Sequence, residues 1–227
     1  MADKPELRGF FLQTGQDMDA IVVVGGGGHA KVVISILRKL NCYNILGYTD
    51  LQDKGAVLGA PYLGSDRELV ALAVGPKKLN AVLAMGQIGL GEQRYELWTR
   101  LHSPALCFPL IVSPDAVLNE GASGGEGAVV MDGAVINSGA TIGRGAIVNT
   151  NSTIEHDVVL ADWVHVAPGA TISGDVTVGR FSMIGAGATV IEGIKIAAGC
   201  MIGAGATVVH DLTEPGVYVG SPARRIK

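Results

Sequence analysis

From Ile136 to Val166 the chain reads INSGAT IGRGAI VNTNST IEHDVV LADWVH V, and each group of six opens on an aliphatic residue. Extended in both directions, the register runs through Val112, Leu118, Val130, Ile136, Ile142, Val148, Ile154, Leu160, Val166, Ile172, Val178, Ile184, Val190, Ile196, Ile202 and Val208, and is broken only at Gly124. A period of six is neither the 3.6 of a helix nor the 2 of a half-buried strand. It describes a chain that turns a corner every six residues and points one side chain inward each time, a solenoid of short parallel strands. Four positions after most of these residues stands something small or β-branched, such as Ala140, Ser152, Val164, Ala170, Ala188 and Ala206, as tight corners require. An ordinary β-sandwich would alternate with period two and would not yield this run.

The repeat resembles the hexapeptide-repeat acyltransferases. That resemblance implies an all-β left-handed parallel β-helix of triangular section, with about 18 residues, three hexapeptides, to a coil. The handedness comes from the family alone, since parallel crossovers are ordinarily right-handed. The composition shifts near residue 105, and 227 residues suffice for two modest domains, so the coil and a C-terminal tail are expected over 106–227.

Hydrophobic residues make up 48% and charged residues 17%, with 33 glycines. An interior stack and many corners account for this without a membrane, and no apolar stretch approaches the length of a spanning helix. A net charge of −4, with no basic cluster beyond Arg224, Arg225 and Lys227, argues against a nucleic-acid partner. Cys42, Cys107 and Cys200 are odd in number and lack metal-ligand spacing, which reads as reduced packing residues in a cytoplasmic protein. Residues 1–17 have no apolar core of a signal peptide and read as an appended or disordered leader before a candidate start at Met18.

Residues 18–105 carry a different pattern. Ile21 to Val24 is a buried-strand signal that runs into Gly25-Gly26-Gly27-Gly28-His29-Ala30-Lys31, followed by a helical stripe of Val32, Val33, Ile36, Leu37 and Leu40. Tyr43 to Tyr48 and Asn80 to Met85 supply two more strands, ending at Asp50 and Gly86, with a helix through Gly91 to Leu101. The order is βαβαβ, an α/β domain with a small parallel sheet, in which ligands sit at the carboxyl ends of the strands and a helix N-terminus can hold phosphate. The glycine spacing is not the dinucleotide fingerprint. A glycine turn bearing His and Lys ahead of a hexapeptide coil resembles the nucleotide-linked sugar N-acetyltransferases, the group of the bacillosamine-pathway and perosamine enzymes, with the sialic acid O-acetyltransferases as relatives. By that resemblance Gly25, Gly27, Gly28, His29 and Lys31 contact the diphosphate side of a nucleotide sugar and Asp50 its ribose or base, with Gly86 at the neighbouring strand end.

In the coil, acyl transfer needs a group to remove a proton, a donor for the thioester oxygen, and a means of holding two large substrates together. His156 lies two residues after the inward Ile154, so its ring leaves the coil near a corner, and Asp157 or Glu155 beside it could orient the ring. Gly174 follows by 18 residues, one layer away at about 4.8 Å, with its N–H available to an oxyanion. The motif around His156 resembles the family's catalytic segment, which implies His156, Asp157 and Gly174 as the catalytic set, with Asn149 near the acyl arm and His165 near the coenzyme. Because His165 is half a coil from His156, the two could meet only across a subunit boundary, and the family implies a homotrimer. The closing Gly220-Ser221-Pro222-Ala223-Arg224 resembles the family signature. Ala186, Gly187, Ala204 and Gly205 would line the coenzyme A groove, with Arg224 or Arg225 at its phosphates.

The reading that follows is an acetyl-CoA-dependent N-acetyltransferase, without metal, acting on the amine, at C4, of a nucleotide-linked amino-deoxy sugar and leaning towards GDP-perosamine. The alternatives are an O-acetyltransferase on sialic acid or another sugar hydroxyl, a metal-dependent hydratase like the carbonic anhydrases that share the coil, and a non-catalytic sugar-nucleotide binding scaffold.

Overall fold

A computed structural model describes residues 18–73, 78–87 and 89–227 of the chain. The expected leader at 1–17 lies outside the described residues. The first part comprises β1 (Asp19–Val24), α1 (Gly28–Leu40), β2 (Tyr43–Thr49), α2 (Asp66–Leu72), β3 (Leu79–Leu83), α3 (Glu92–Leu101) and β4 (Leu106–Cys107). Its four strands run parallel in the order β2-β1-β3-β4. Ile21 to Val24 are buried on both faces, as the centre of a parallel sheet requires. β4 lies just past the division expected at 105/106: Leu106 and Cys107 pair with Leu79 and Asn80 and complete the N-terminal sheet. A two-residue edge strand carries too little pattern to be seen in the sequence. The buried stripe of α1 is also rotated, since Ile34 is inside and Val32 is 38% exposed. The helix faces both the sheet and the coil, which widens the face it must bury.

In the second part, two-residue rungs pair in parallel with rungs 18 positions on, as Thr153 with Thr171 and Ile154 with Ile172. Three sheets result, of eight, six and five strands. One face contains the rungs Ile111–Val112, Val129–Val130, Ile147–Val148, His165–Val166 and Met183–Ile184, another Thr153–Ile154, Thr171–Ile172 and Thr189–Val190, and the third Thr141–Ile142, Val159–Leu160 and Thr177–Val178. The second residue of each rung points inward, and these aliphatics with the small corner residues form one continuous core. The last strands, Gly216–Val219 and Arg224–Arg225, cap the first face, the former parallel to Cys200–Ile202 and the latter antiparallel.

From Gly121 to Gly205 each corner has one residue in the left-handed region, and at most of them it is glycine: Gly121, Gly127, Gly133, Gly139, Gly145, Gly169, Gly187, Gly193, Gly199 and Gly205. The exceptions are consecutive or nearly so: Asn151, Asp157, Trp163, Asp175 and Phe181, with φ between 55° and 64°. A side chain there costs roughly 1–2 kcal/mol relative to the right-handed conformation. Trp163 and Phe181 use the strained corner to reach α3, where Tyr95 meets both rings edge-on and Trp98 packs on Trp163.

The N-terminal domain rides on the first face. Ile111, Val129 and Ile147, outward on their rungs, are fully buried in one cluster with Ile21, Val33 and Ile36. Arg94, 1% exposed, donates from Nη1 to the Gly145 carbonyl at 2.6 Å, and Lys39 bridges Asp115 and Asp132 at 2.6 Å each. Among the described residues no helix is long and apolar enough to cross a membrane.

The inward and outward assignment is tested on one rung. Ile196→Ala, at a 3% exposed position, is expected to lower the unfolding free energy by about 2–5 kcal/mol in urea titration. Its exposed neighbour Lys195→Ala should change it by less than about 0.5 kcal/mol. Equal losses would contradict the register.

Candidate active site

At the corner between the second and third faces, Thr153-Ile154-Glu155-His156-Asp157 leaves one rung and enters the next. Ile154 anchors the segment in the core, and Asp157 adopts φ 60°, which turns its carboxylate back towards the preceding side chain. Asp157 Oδ2 lies 3.0 Å from His156 Nδ1. Glu155 does not compete for the ring, because its Oε2 accepts from Asn137 Nδ2 at 2.8 Å, and Asn137 in turn accepts from Asn119 at 2.5 Å. The partner of His156, left open between the two carboxylates by the sequence, is therefore Asp157 in the structure. The hydrogen bond to Asp157 raises the imidazole pKa above its ordinary 6.5, helped by the charges of Glu155 and Glu192 and only partly opposed by desolvation.

The ring lies over Gly174. A Cβ built on that glycine would come 2.5 Å from both Cε1 and Nε2 of His156, so no other residue fits without moving the imidazole. The stacking is enforced by the backbone: Asp175 N–H donates to the His156 carbonyl at 3.0 Å, and Gly193 N–H to the Gly174 carbonyl at 2.9 Å. Gly174 N–H itself has no acceptor among the described residues. An imidazole, a carboxylate that orients it and a free backbone N–H thus share one exposed corner, the kinds of group that proton removal and oxyanion stabilisation call for.

The other nominated residues of the coil lie elsewhere. Asn149, Ala186, Gly187, Ala204 and Gly205 fall on the corner between the first and second faces, where successive layers are tied by Gly187 N–H to the Pro168 carbonyl and Gly205 N–H to the Ala186 carbonyl. The four small residues are exposed and form a low ridge along that edge. His165, on the first face, is 6% exposed and both ring nitrogens are engaged, Nε2 with Asn149 Nδ2 and Nδ1 with the Gln87 carbonyl, each at 3.2 Å. Arg224 and Arg225 are exposed on the last strand, and Arg225 is paired with Glu214 at 2.6 Å. Trp163 is buried and packs against Tyr95 and Trp98.

A second feature occupies the carboxyl ends of β1, β2 and β3. A cleft of about 610 Å³ is lined by Gly25, Gly27, Gly28, His29, Asp50 and Gly86, and by Asp66, Gln93, Glu96 and Arg100 from α2 and α3. Gly25 has φ +114°, and the Gly26 N–H donates to Asp50 Oδ2 at 2.8 Å, so Asp50 shapes the glycine turn. Gly27 caps α1 without a side-chain bond and the first turn holds no acidic residue, which leaves its N–H groups to an anion. Lys31 is exposed on α1, one turn further along the helix, and is not among the residues that line the cleft. Arg100 was not visible as a candidate, since only the packing of α3 brings it to the glycine turn. The cleft and His156 are on opposite sides of the prism within one chain: the N-terminal domain covers the first face, and His156 is at the corner across from it.

Residues 20–96 match the model of the PglD N-terminal domain, and residues 140–174 and 175–210 match that of the bacterial transferase hexapeptide (six repeats). The acetyltransferase domain of PglB from Neisseria gonorrhoeae FA1090, in complex with acetyl coenzyme A, is 32% identical over 92% of this chain and 100% of that one, with a TM-score of 0.84. PerB from Caulobacter crescentus, in complex with CoA and GDP-perosamine, is 34% identical over 94% and 100%, with a TM-score of 0.84. WeeI from Acinetobacter baumannii AYE shares the fold at 24% identity, with a TM-score of 0.81 over 92% and 100%. No curated protein matches the chain.

Two pH measurements follow. Asp157→Asn should bring the His156 titration, read by NMR, down towards 6.5; no change would mean the carboxylate does not hold the ring. His29 and His165 are both lowered to about 4, chiefly by burial and then by the charge of Arg94. Their folded values lie below the unfolded 6.5, so the stability they contribute is complete above about pH 6.5 and is lost as pH falls to 4. Urea melts between pH 7.5 and 4 should show this slope, and His165→Gln should flatten it.

Proposed function

The chain belongs to the hexapeptide-repeat sugar acetyltransferases that carry a PglD-type N-terminal domain, acyltransferases that draw on acetyl-CoA, and from that membership we propose that it N-acetylates the C4 amine of a nucleotide-linked amino-deoxy sugar. The observation that carries the reading is the imidazole of His156, held by Asp157 and laid over the free amide of Gly174. His156 Nε2 accepts the proton that the amine loses as it attacks the thioester carbonyl. Gly174 N–H donates to the oxygen on which charge develops. The proton passes to the thiolate of coenzyme A, so that one C–N bond forms, one C–S bond breaks, and the products are an amide and a thiol. Asp157 keeps the proton-accepting nitrogen turned outward and supports the imidazolium.

The glycine cleft is read as the nucleotide site, with the α1 N-terminus and Arg100 facing the diphosphate. The exposed edge of Ala186, Gly187, Ala204 and Gly205 suits the narrow pantetheine arm, because its small residues leave open space that larger side chains would occupy. Since the cleft and His156 are on opposite sides of one prism, a second copy must bring its own edge to complete the site, which supports a homotrimer. An acyl donor of this kind and three free cysteines fit the cytoplasm. GDP-perosamine is the first acceptor to test, on the likeness to PerB.

Thiol release from acetyl-CoA in the presence of amino-sugar nucleotides should be lost by about 10²–10⁴-fold in kcat for His156→Ala. Because the base must be neutral, kcat/KM should fall on the acid side with an inflection above 6.5, and Asp157→Asn should move that inflection down. Full activity in His156→Ala would leave only a binding role, and preferred acetylation of hydroxy sugars would turn the reading to O-acetyl transfer.

A further inference from the structure

The corner column that contains His156 continues past Gly174 to Glu192, 36 residues on. Two backbone hydrogen bonds, from Asp175 to His156 and from Gly193 to Gly174, fix His156, Gly174 and Glu192 in successive layers. The outer two Cα atoms are thus roughly 10 Å apart, two interstrand spacings. Gly174 puts no side chain between them, and the imidazole fills that space with Nε2 over the glycine. Glu192 is therefore the next side chain in the column beyond the proton-accepting edge of the ring.

The carboxylates around this corner are not equivalent. Glu155 is tied to Asn137 and Asp157 to His156. Glu192 is exposed and has neither a hydrogen bond nor an ion pair among the described residues, yet it is near enough for its charge to act on His156. Asp175 is also free, but it leaves the coil from the left-handed corner position, in the column of Asp157.

A primary amine arrives at neutral pH as an ammonium ion, whereas a hydroxyl arrives neutral. We propose that Glu192 binds the ammonium group of the acceptor sugar beside His156 Nε2 and so selects amines over hydroxyls. The assignment rests on the N-acetyl transfer reading and specifies how that site recognises its acceptor. Glu192 takes no part in bond making. The ammonium gives one proton to solvent before attack and a second to His156 as the C–N bond forms; that second proton leaves on the thiol. A carboxylate does nothing comparable for a neutral hydroxyl, so its contribution appears in binding of the amine alone.

The test compares wild type, Glu192→Gln and Asp175→Asn with acetyl-CoA and paired amino-sugar and hydroxy-sugar nucleotides. Glu192→Gln should raise KM for the amine about tenfold, leaving kcat and the KM for acetyl-CoA within about twofold and any hydroxyl acetylation unchanged. Asp175→Asn should shift the amine KM by less than about threefold, as expected of a charge that acts only through solvent. An unchanged amine KM in Glu192→Gln overturns the assignment, and so does an equal rise in both variants, which would be a general field effect. If the wild type acetylates no amine at all, N-acetyl transfer itself falls and this assignment with it. If His156→Ala abolishes acetylation while Glu192→Gln is silent, only the assignment falls.

Discussion

The backbone hydrogen bonds that hold each rung of the coil in register with the rung 18 positions away govern everything built on it. They put Ile172 on Ile154 in the core, and by the same operation they put Gly174 under the ring of His156 at the surface. The interior stack and the surface corner of His156 are thus one constraint seen from two sides. An insertion of a single residue between 156 and 174 would break the aliphatic column and the imidazole–amide pair together. This is why a chemically demanding arrangement can be held on so thin a scaffold: neither His156 nor Asp157 is buried, and their positions come from the backbone beneath them.

Strain is distributed unevenly along that scaffold. From Gly121 to Gly145 and from Gly187 to Gly205 the left-handed corners are all glycine, while between Asn151 and Phe181 five of them carry side chains. Two of the five, Trp163 and Phe181, hold α3 and with it the wall of the glycine cleft. Asp157 holds the imidazole. The conformational cost is concentrated in the coils that do the positioning, in keeping with the tendency of strained backbone to gather at functional sites. Asn151 lays its side-chain amide on Gly133 one layer below, whereas at Asp175 no contact among the described residues accounts for the departure from glycine.

The N-terminal domain meets the coil through a junction of mixed character. Apolar rungs such as Ile147 are buried against α1, but Arg94 is also enclosed there with a single carbonyl partner, and burial lowers its pKa to about 10. The two neutral histidines, His29 and His165, avoid adding further positive charge beside it. The ring of His165 lies between Asn149 and the Gln87 carbonyl, so within one chain it links the glycine-cleft domain to the corner of Asn149.

The six-residue register made the solenoid, its inward residues and the stacking of His156 on Gly174 legible from the chain alone, because a strict period leaves one way to wind and one neighbour for each corner. The glycine turn and the strands Ile21–Val24 and Tyr43–Tyr48 were legible for a similar local reason. The two-residue strand at Leu106–Cys107, the exclusion of Lys31 from the cleft, the entry of Arg100 into it and the choice of Asp157 over Glu155 were not. Each depends on which surface a helix or carboxylate meets after the chain has folded: α1 is turned by the coil it packs on, α3 is seated by Trp163 and Phe181, and Glu155 is drawn off by an asparagine one layer below. Periodicity determines a residue's neighbours along its own element, whereas contacts between elements with no shared period are decided only when tertiary packing sets their angle and depth.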